Sequence, residues 1–226
     1  MNNNVKCLAA AACVAGLLAS GAASAQSAGS LLVRGGVARI TPQVKSGALS
    51  APSFPNTKSD VEADTQVGGG ITYMYSDNIS IDVPLALPFK HDIVGDGAIA
   101  GVGKIAETKV LPMTLLAQYR FLEAQSLFRP YVGAGLTYAK FFKEKGTASL
   151  TALSGGSPSN PTTLKIDSKL AATIQVGASY TFSERWFVDA TVLKTFLKTR
   201  ATLSTGQSKD LTLDPLTTAL FVGYRF

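Results

Sequence analysis

Leu216-Thr217-Thr218-Ala219-Leu220-Phe221-Val222-Gly223-Tyr224-Arg225-Phe226 alternates from end to end. Successive side chains of an extended strand point to opposite faces. Leu216, Thr218, Leu220, Val222, Tyr224 and Phe226 therefore share one face, which is apolar and ends in two aromatic rings. Phe221 and Arg225 fall on the other. Lys169 to Phe182 repeats the pattern more fully. Leu170, Ala172, Ile174, Val176, Ala178, Tyr180 and Phe182 form an apolar face, and Lys169, Thr173, Gln175, Ser179 and Thr181 a polar one. Period-two alternation over about ten residues, with one apolar face and one polar face, suits a strand with hydrocarbon outside and a lumen inside.

Working outward, six more segments alternate: Leu31–Ala38, Gln66–Tyr75, Ile79–Ala86, Leu111–Phe121, Arg129–Phe142 and Trp186–Val192. Arg129–Phe142 is apolar on both faces, so its facing stays open. The total is eight, an even number as single-chain bacterial barrels require. A closed sheet is also the only sheet that pairs every backbone amide in hydrocarbon. The expected fold is all-β, an eight-stranded antiparallel transmembrane β-barrel. Short connections at Ser76–Asn78, Leu122–Phe128 and Ser183–Arg185 are expected as periplasmic turns. Longer ones at 40–65, 87–107, 143–166 and 200–210 are expected as extracellular loops. Within them Pro42–Pro55 and Leu150–Thr163, rich in turn residues, read as mobile.

The other end of the chain carries an export pattern. Lys6 and the amino terminus are followed by an apolar run, Leu8 to Leu18, and by Ala23-Ser24-Ala25, a small-x-small cleavage site. The run is shorter than the ~20 residues of a retained helix. Residues 1–25 are read as a cleaved signal and 26–226 as one barrel domain. A lipoprotein reading of Cys13 is disfavoured because Ala10 stands where a leucine is usual. Both cysteines, Cys7 and Cys13, lie in the signal, so the remainder has no thiolate site or disulfide. The net charge of +6 is scattered without a basic run, which argues against nucleic acid. It suits an anionic lipopolysaccharide surface, although ordinary solubility explains it as well.

The aromatic end of the last strand, Tyr224 and Phe226, resembles the signal by which barrel-assembly machinery recognises outer-membrane proteins. Three stretches extend the likeness. Asp82–Ile93 contains Pro88-Phe89-Lys90-His91-Asp92-Ile93; Arg129-Pro130-Tyr131-Val132-Gly133-Ala134-Gly135-Leu136-Thr137-Tyr138 is followed by Phe141-Phe142; and Leu213-Asp214-Pro215 precedes Gly223-Tyr224-Arg225-Phe226. With Leu111-Pro112 and Thr114 they resemble the outer-membrane protein W (OmpW) family. Met113 and Thr137 stand where that family often has Pro and Asn. The resemblance implies an eight-stranded barrel of the Gram-negative outer membrane with an unusually apolar interior. Its members are regarded as channels for small hydrophobic molecules, and some relatives assist alkane uptake.

The residues agree in part with that implication. Leu32, Met74, Leu116, Leu193 and Phe221 fall on the inward set and form the expected substrate path. The alternative is a narrow barrel whose lumen is filled by side chains. Pro84, Pro112 and Pro130 lack an amide for the ladder and are candidate lateral openings, unless they sit at strand ends. Arg34, Asp82, Gln118, Arg120, Lys169, Gln175 and Asp189 also face inward by alternation and are expected to pair as a polar floor.

No catalytic constellation accompanies His91, the single histidine, and no serine stands near it at a telling spacing. Phe89-Lys90-His91-Asp92 is expected to order its loop instead. Neither an enzyme activity nor a cofactor or metal is expected. The expected function is passive uptake of small hydrophobic molecules, with lateral release into the bilayer. The alternative is an interaction barrel whose loops receive a phage, bacteriocin or host partner. Expected partners are outer-membrane lipids, lipopolysaccharide, the assembly machinery and small hydrophobic solutes; nothing in the sequence sets an oligomeric state.

Overall fold

A computed structural model describes residues 26–51 and 55–226. The expected signal, residues 1–25, lies outside the described residues. The strands are β1 (Leu31–Thr41), β2 (Lys45–Ser46), β3 (Thr57–Val61), β4 (Asp64–Met74), β5 (Ile79–Ala86), β6 (Phe89–Gly97), β7 (Lys104–Arg120), β8 (Phe128–Gly146), β9 (Leu164–Ile166), β10 (Lys169–Thr181), β11 (Trp186–Phe196), β12 (Lys198–Leu203), β13 (Ser208–Thr212) and β14 (Leu216–Arg225). Among the described residues one short helix, α1, covers Ala148–Leu153.

Eight of these strands close on themselves in the order β1-β4-β5-β7-β8-β10-β11-β14, each antiparallel to its neighbours. The closing seam runs from Leu32↔Arg225 to Thr41↔Leu216. Facing follows the alternation. Val37, Val67, Leu115, Leu136, Leu170, Val176 and Leu220 are exposed around the whole outer circumference. So continuous an apolar surface marks contact with something other than water. At one rim Trp186, Tyr224 and Phe226 pack edge to face, with centroids 5.1 and 4.7 Å apart. This is the aromatic girdle of a membrane–water boundary. The facing of β8, open from sequence, is settled: Arg129 and Tyr131 are buried inside, and Val132 and Leu136 are exposed.

The turns at this rim are short, and Ser76 caps one by accepting from Ile79 N at 3.0 Å. At the opposite end the structure departs from the expected loops. β7 and β8 run for 17 and 19 residues, well beyond the ~9–11 that cross a bilayer. β6 and β3 add to the upper part of β7. β2, β13, β12 and β9 form a second sheet. The reason is that alternation continues past the apolar belt. Phe89, His91 and Ile93 are buried, whereas Lys90 between them is exposed. Leu150–Thr163 is likewise built rather than loose. Thr147 caps α1 by accepting from Leu150 N at 3.3 Å, and the Ser154 and Thr162 hydroxyls meet at 2.7 Å. In the Pro-rich segment, Leu49 N donates to Thr57 O and β2 pairs with β13.

Candidate functional site

The interior divides into layers. Beside the aromatic rim, Leu32, Met74 and Phe187 form a small apolar cluster. Around and above it stands a polar floor. Arg34 Nη2 donates to Asp82 at 2.8 Å and its Nη1 to Thr72 Oγ1 at 2.7 Å, while Thr72 donates to Asp82 at 2.6 Å. Tyr131 Oη donates to Asp189 at 3.0 Å, and Asp189 lies 3.9 Å from Arg34 Nε. Arg120 stacks over the Tyr131 ring at 4.6 Å and donates to Gln118, which reaches Gln175 at 2.7 Å. Gln26 fills the remaining gap, taking a bond from Arg120 at 3.2 Å and, through its backbone carbonyl, from Arg129 at 2.8 Å. Arg120, Arg129 and Gln26 are fully buried, so the floor fills the cross-section. Above it, hydroxyls link four strands: Thr114 to Thr137 at 2.8 Å, Thr137 to Thr173 at 2.6 Å and Thr173 to Thr195 at 3.0 Å.

A chamber of about 160 Å³ opens above these hydroxyls. Its lining is overwhelmingly apolar, with Phe221, Leu193, Ile40 and Val110 low and Ile105, Leu197, Leu211 and Leu213 higher. Phe221 is the lid of the floor, its ring 5.4 Å from the Arg34 guanidinium. His91 lines the wall, donates through Nδ1 to Glu62 O at 2.7 Å and stacks on Phe89. Burial holds its pKa below the usual histidine value.

Of the inward residues read from sequence, Leu193 and Phe221 line this chamber. Leu32, Met74 and Leu116 do not. Leu32 and Met74 lie in the cluster at the rim, and Leu116 is the register partner of Asp82 at floor level. Alternation tells which way a side chain points, not how deep in the barrel it sits. Lys169 is a further departure: it is half exposed beyond the belt, 3.9 Å from Asp167. Most of the upper lining comes from segments read as loops. The alternations Phe89/His91/Ile93 and Leu211/Leu213 are the signals that reveal it.

The barrel wall is interrupted beside the chamber. The β5–β7 ladder ends at Asp82↔Leu116, and β6 resumes pairing with β7 at Phe89↔Val110, one residue out of register. Arg120 N donates to Asn78 O, whereas Phe121 N donates to Pro130 O on the other side. Even-numbered amides of β7 therefore point towards β5. Leu87 N bonds back to Val67 O, so even-numbered amides of β5 point towards β7. Continuing the register would couple residue 84 with 114 and residue 86 with 112. Pro84 and Pro112 each remove one of the two hydrogen bonds from these couples. Pro88 removes another donor at the far edge. Pro84, Pro112 and Leu85 all line the chamber, and Leu85 is also exposed on the outer face. Pro130 does not join them. It sits in an unbroken ladder opposite Ala178, and Arg129 Nε donates to Phe121 O, the carbonyl its missing amide would have met, at 3.3 Å.

A closed eight-stranded barrel with an apolar belt and an aromatic rim is an outer-membrane β-barrel. The chain belongs to the OmpW family, whose sequence profile matches residues 27–226. It is 37% identical to outer membrane protein W of Vibrio cholerae over 217 residues, covering 92% of this chain and 94% of that one. The crystal structure of the outer membrane protein OprG from Pseudomonas aeruginosa superposes with a TM-score of 0.79 at 29% identity, over 89% of this chain and 98% of that one. The solid-state NMR structure of outer membrane protein AlkL in lipid bilayers gives 0.69 at 25% identity, over 92% and 94%. The protein resides in the outer membrane of a Gram-negative bacterium.

Proposed function

We propose that this barrel takes up small apolar molecules from outside the cell and releases them sideways into the outer leaflet. The observation that carries the reading is the coincidence, at one depth, of an apolar chamber and a break in the wall, directly above a filled floor. An apolar solute gains roughly 25 cal/mol for each Å² it removes from water. A dry apolar cavity of ~150 Å³ takes up a molecule the size of benzene, and this chamber measures about 160 Å³. Passage straight down would require the solute to displace Arg120, Arg129 and Gln26 from a buried hydrogen-bond network. Passage sideways meets only the gap between Val83–Leu87 and Leu111–Leu115. Unpaired amides facing hydrocarbon cost several kcal/mol each. Prolines at 84, 88 and 112 reduce that cost while leaving the ladder open.

Closing the gap tests the route. Ala86→Cys with Pro112→Cys, joined by a reducible thiol cross-linker, ties β5 to β7 where a continued register would pair them. The two natural cysteines lie within residues 1–25, so the described chain offers no competing thiol. Uptake of an aromatic hydrocarbon by cells is expected to fall on cross-linking and to recover on reduction. Unchanged uptake in cross-linked cells would rule out the lateral route.

A further inference from the structure

Lys209 interrupts the chamber's apolar lining. On β13 and just beyond, the inward set is Lys209, Leu211 and Leu213, and both leucines are buried. The register partner of Lys209 on β12 is Ala201, itself buried in the chamber wall. Lys209 is half-buried, and its Nζ donates to Ser59 Oγ at 2.6 Å, a hydroxyl that also lines the chamber. Among the described residues no carboxylate lies within 4.0 Å of this ammonium. The acidic side chain that acts on it, Asp96, is exposed and stands opposite Lys58 in the β3–β6 ladder. Burial among apolar groups draws the Lys209 pKa down to about 8. A cation placed in an apolar inward set breaks the local pattern of the strand, and such breaks concentrate at functional sites.

We propose that Lys209 anchors the head of an anionic amphiphile, an alkyl carboxylate, whose tail lies in the chamber. The inference rests on the chamber being a cavity for apolar solutes, and it adds a polar end to the substrate. The two halves of such a ligand match the two chemistries of the lining: carbon chain against Leu211, Leu213 and Ile105, and carboxylate against one ammonium beside one hydroxyl. Lys58 also lines the chamber and stands opposite Asp96, so two lysines and one carboxylate leave a single net positive charge, which suits a monoanion; a phosphate dianion is normally met by more donors or a bidentate guanidinium. The anchor also orients the ligand, holding its head towards the outer end and its tail towards the break in the wall.

The test compares octanoate with 1-octanol, which share chain length and differ in charge. Each is titrated into the full barrel in lipid nanodiscs and followed by chemical shifts, with empty discs subtracted. Lys209→Met is expected to lower the octanoate-to-octanol affinity ratio about tenfold or more, the usual effect of removing a charged hydrogen-bond partner. Lys209→Arg is expected to retain the ratio. An unchanged ratio in Lys209→Met overturns the anchor and leaves the chamber reading standing. Failure of both ligands to bind the unaltered protein overturns the chamber reading and the anchor with it. Octanol binding by the variant reports that it is folded. If Lys209→Met loses that too, the same ratio in Lys209→Gln decides.

Discussion

Asp82 is the residue on which the floor depends most. Its side chain is fully buried and accepts from both Arg34 and Thr72. Removing one member of a buried ion pair leaves its partner's charge uncompensated, which costs about 3–5 kcal/mol. Asp82→Ala is expected to lower the unfolding free energy of the refolded barrel in urea by that order. Thr72→Ala should cost only about 1 kcal/mol, since it removes one hydroxyl from the network. Equal losses in the two variants would mean that Arg34 is held by Asp189 instead. The floor was largely legible in sequence, because Arg34, Asp82, Gln118, Arg120, Gln175 and Asp189 all sit on the inward phase of their strands. Gln26 was not, because it precedes any alternating segment and plugs the floor from outside the first strand. Depth was also hidden. Leu32 and Phe221 have the same facing, yet one lies beside the rim and the other beneath the chamber.

At the scale of elements, the informative pair is β5 and β7. Their prolines were visible in the sequence, but the break was not. Whether a proline costs a ladder bond depends on which neighbour its missing amide would face, and that follows from register. Pro84 and Pro112 face each other's strand across the gap, whereas the place of Pro130 is taken by Arg129. Replacing Pro84 and Pro112 together with valine restores two donors at positions where partners stand opposite. The ladder is expected to extend across the gap, each new bond adding about 1 kcal/mol. Amide exchange of residues 83–87 and 111–115 should slow, and uptake of apolar solutes should fall with it. Fast exchange and normal uptake in the variant would show that something other than the prolines keeps the strands apart. Four of the upper strands were missed for a related reason. β2, β3, β9 and β13 span only two to five residues each. Segments that short carry too few alternations to stand out against turn residues such as Ser154-Gly155-Gly156.

At the scale of the whole molecule, the barrel holds two separate apolar interiors: a small cluster set within the polar floor at the rim, and the chamber above that floor. Leu32, Met74 and Phe187 make up the first, and the chamber is the second. Among the described residues only the chamber has a wall that is open beside it, so the proposed route assigns the two interiors different duties, and they can be altered independently. Ala106 is buried, lines the chamber and sits on the part of β7 beyond the apolar belt. Ala106→Trp places a large ring in the space a solute would use without touching the lipid-facing surface that governs insertion. Met74→Ala empties part of the lower cluster, which costs about 2–5 kcal/mol for a buried methionine, and leaves the chamber as it was. Uptake is best expressed per folded barrel, counted by the mobility difference between heated and unheated protein on gels. On that measure Ala106→Trp should reduce uptake of a benzene-sized solute sharply, while Met74→Ala should leave it near normal despite lower stability. The reverse outcome would move the solute path into the cluster at the rim, where the wall is continuous, and would remove the physical basis for sideways release.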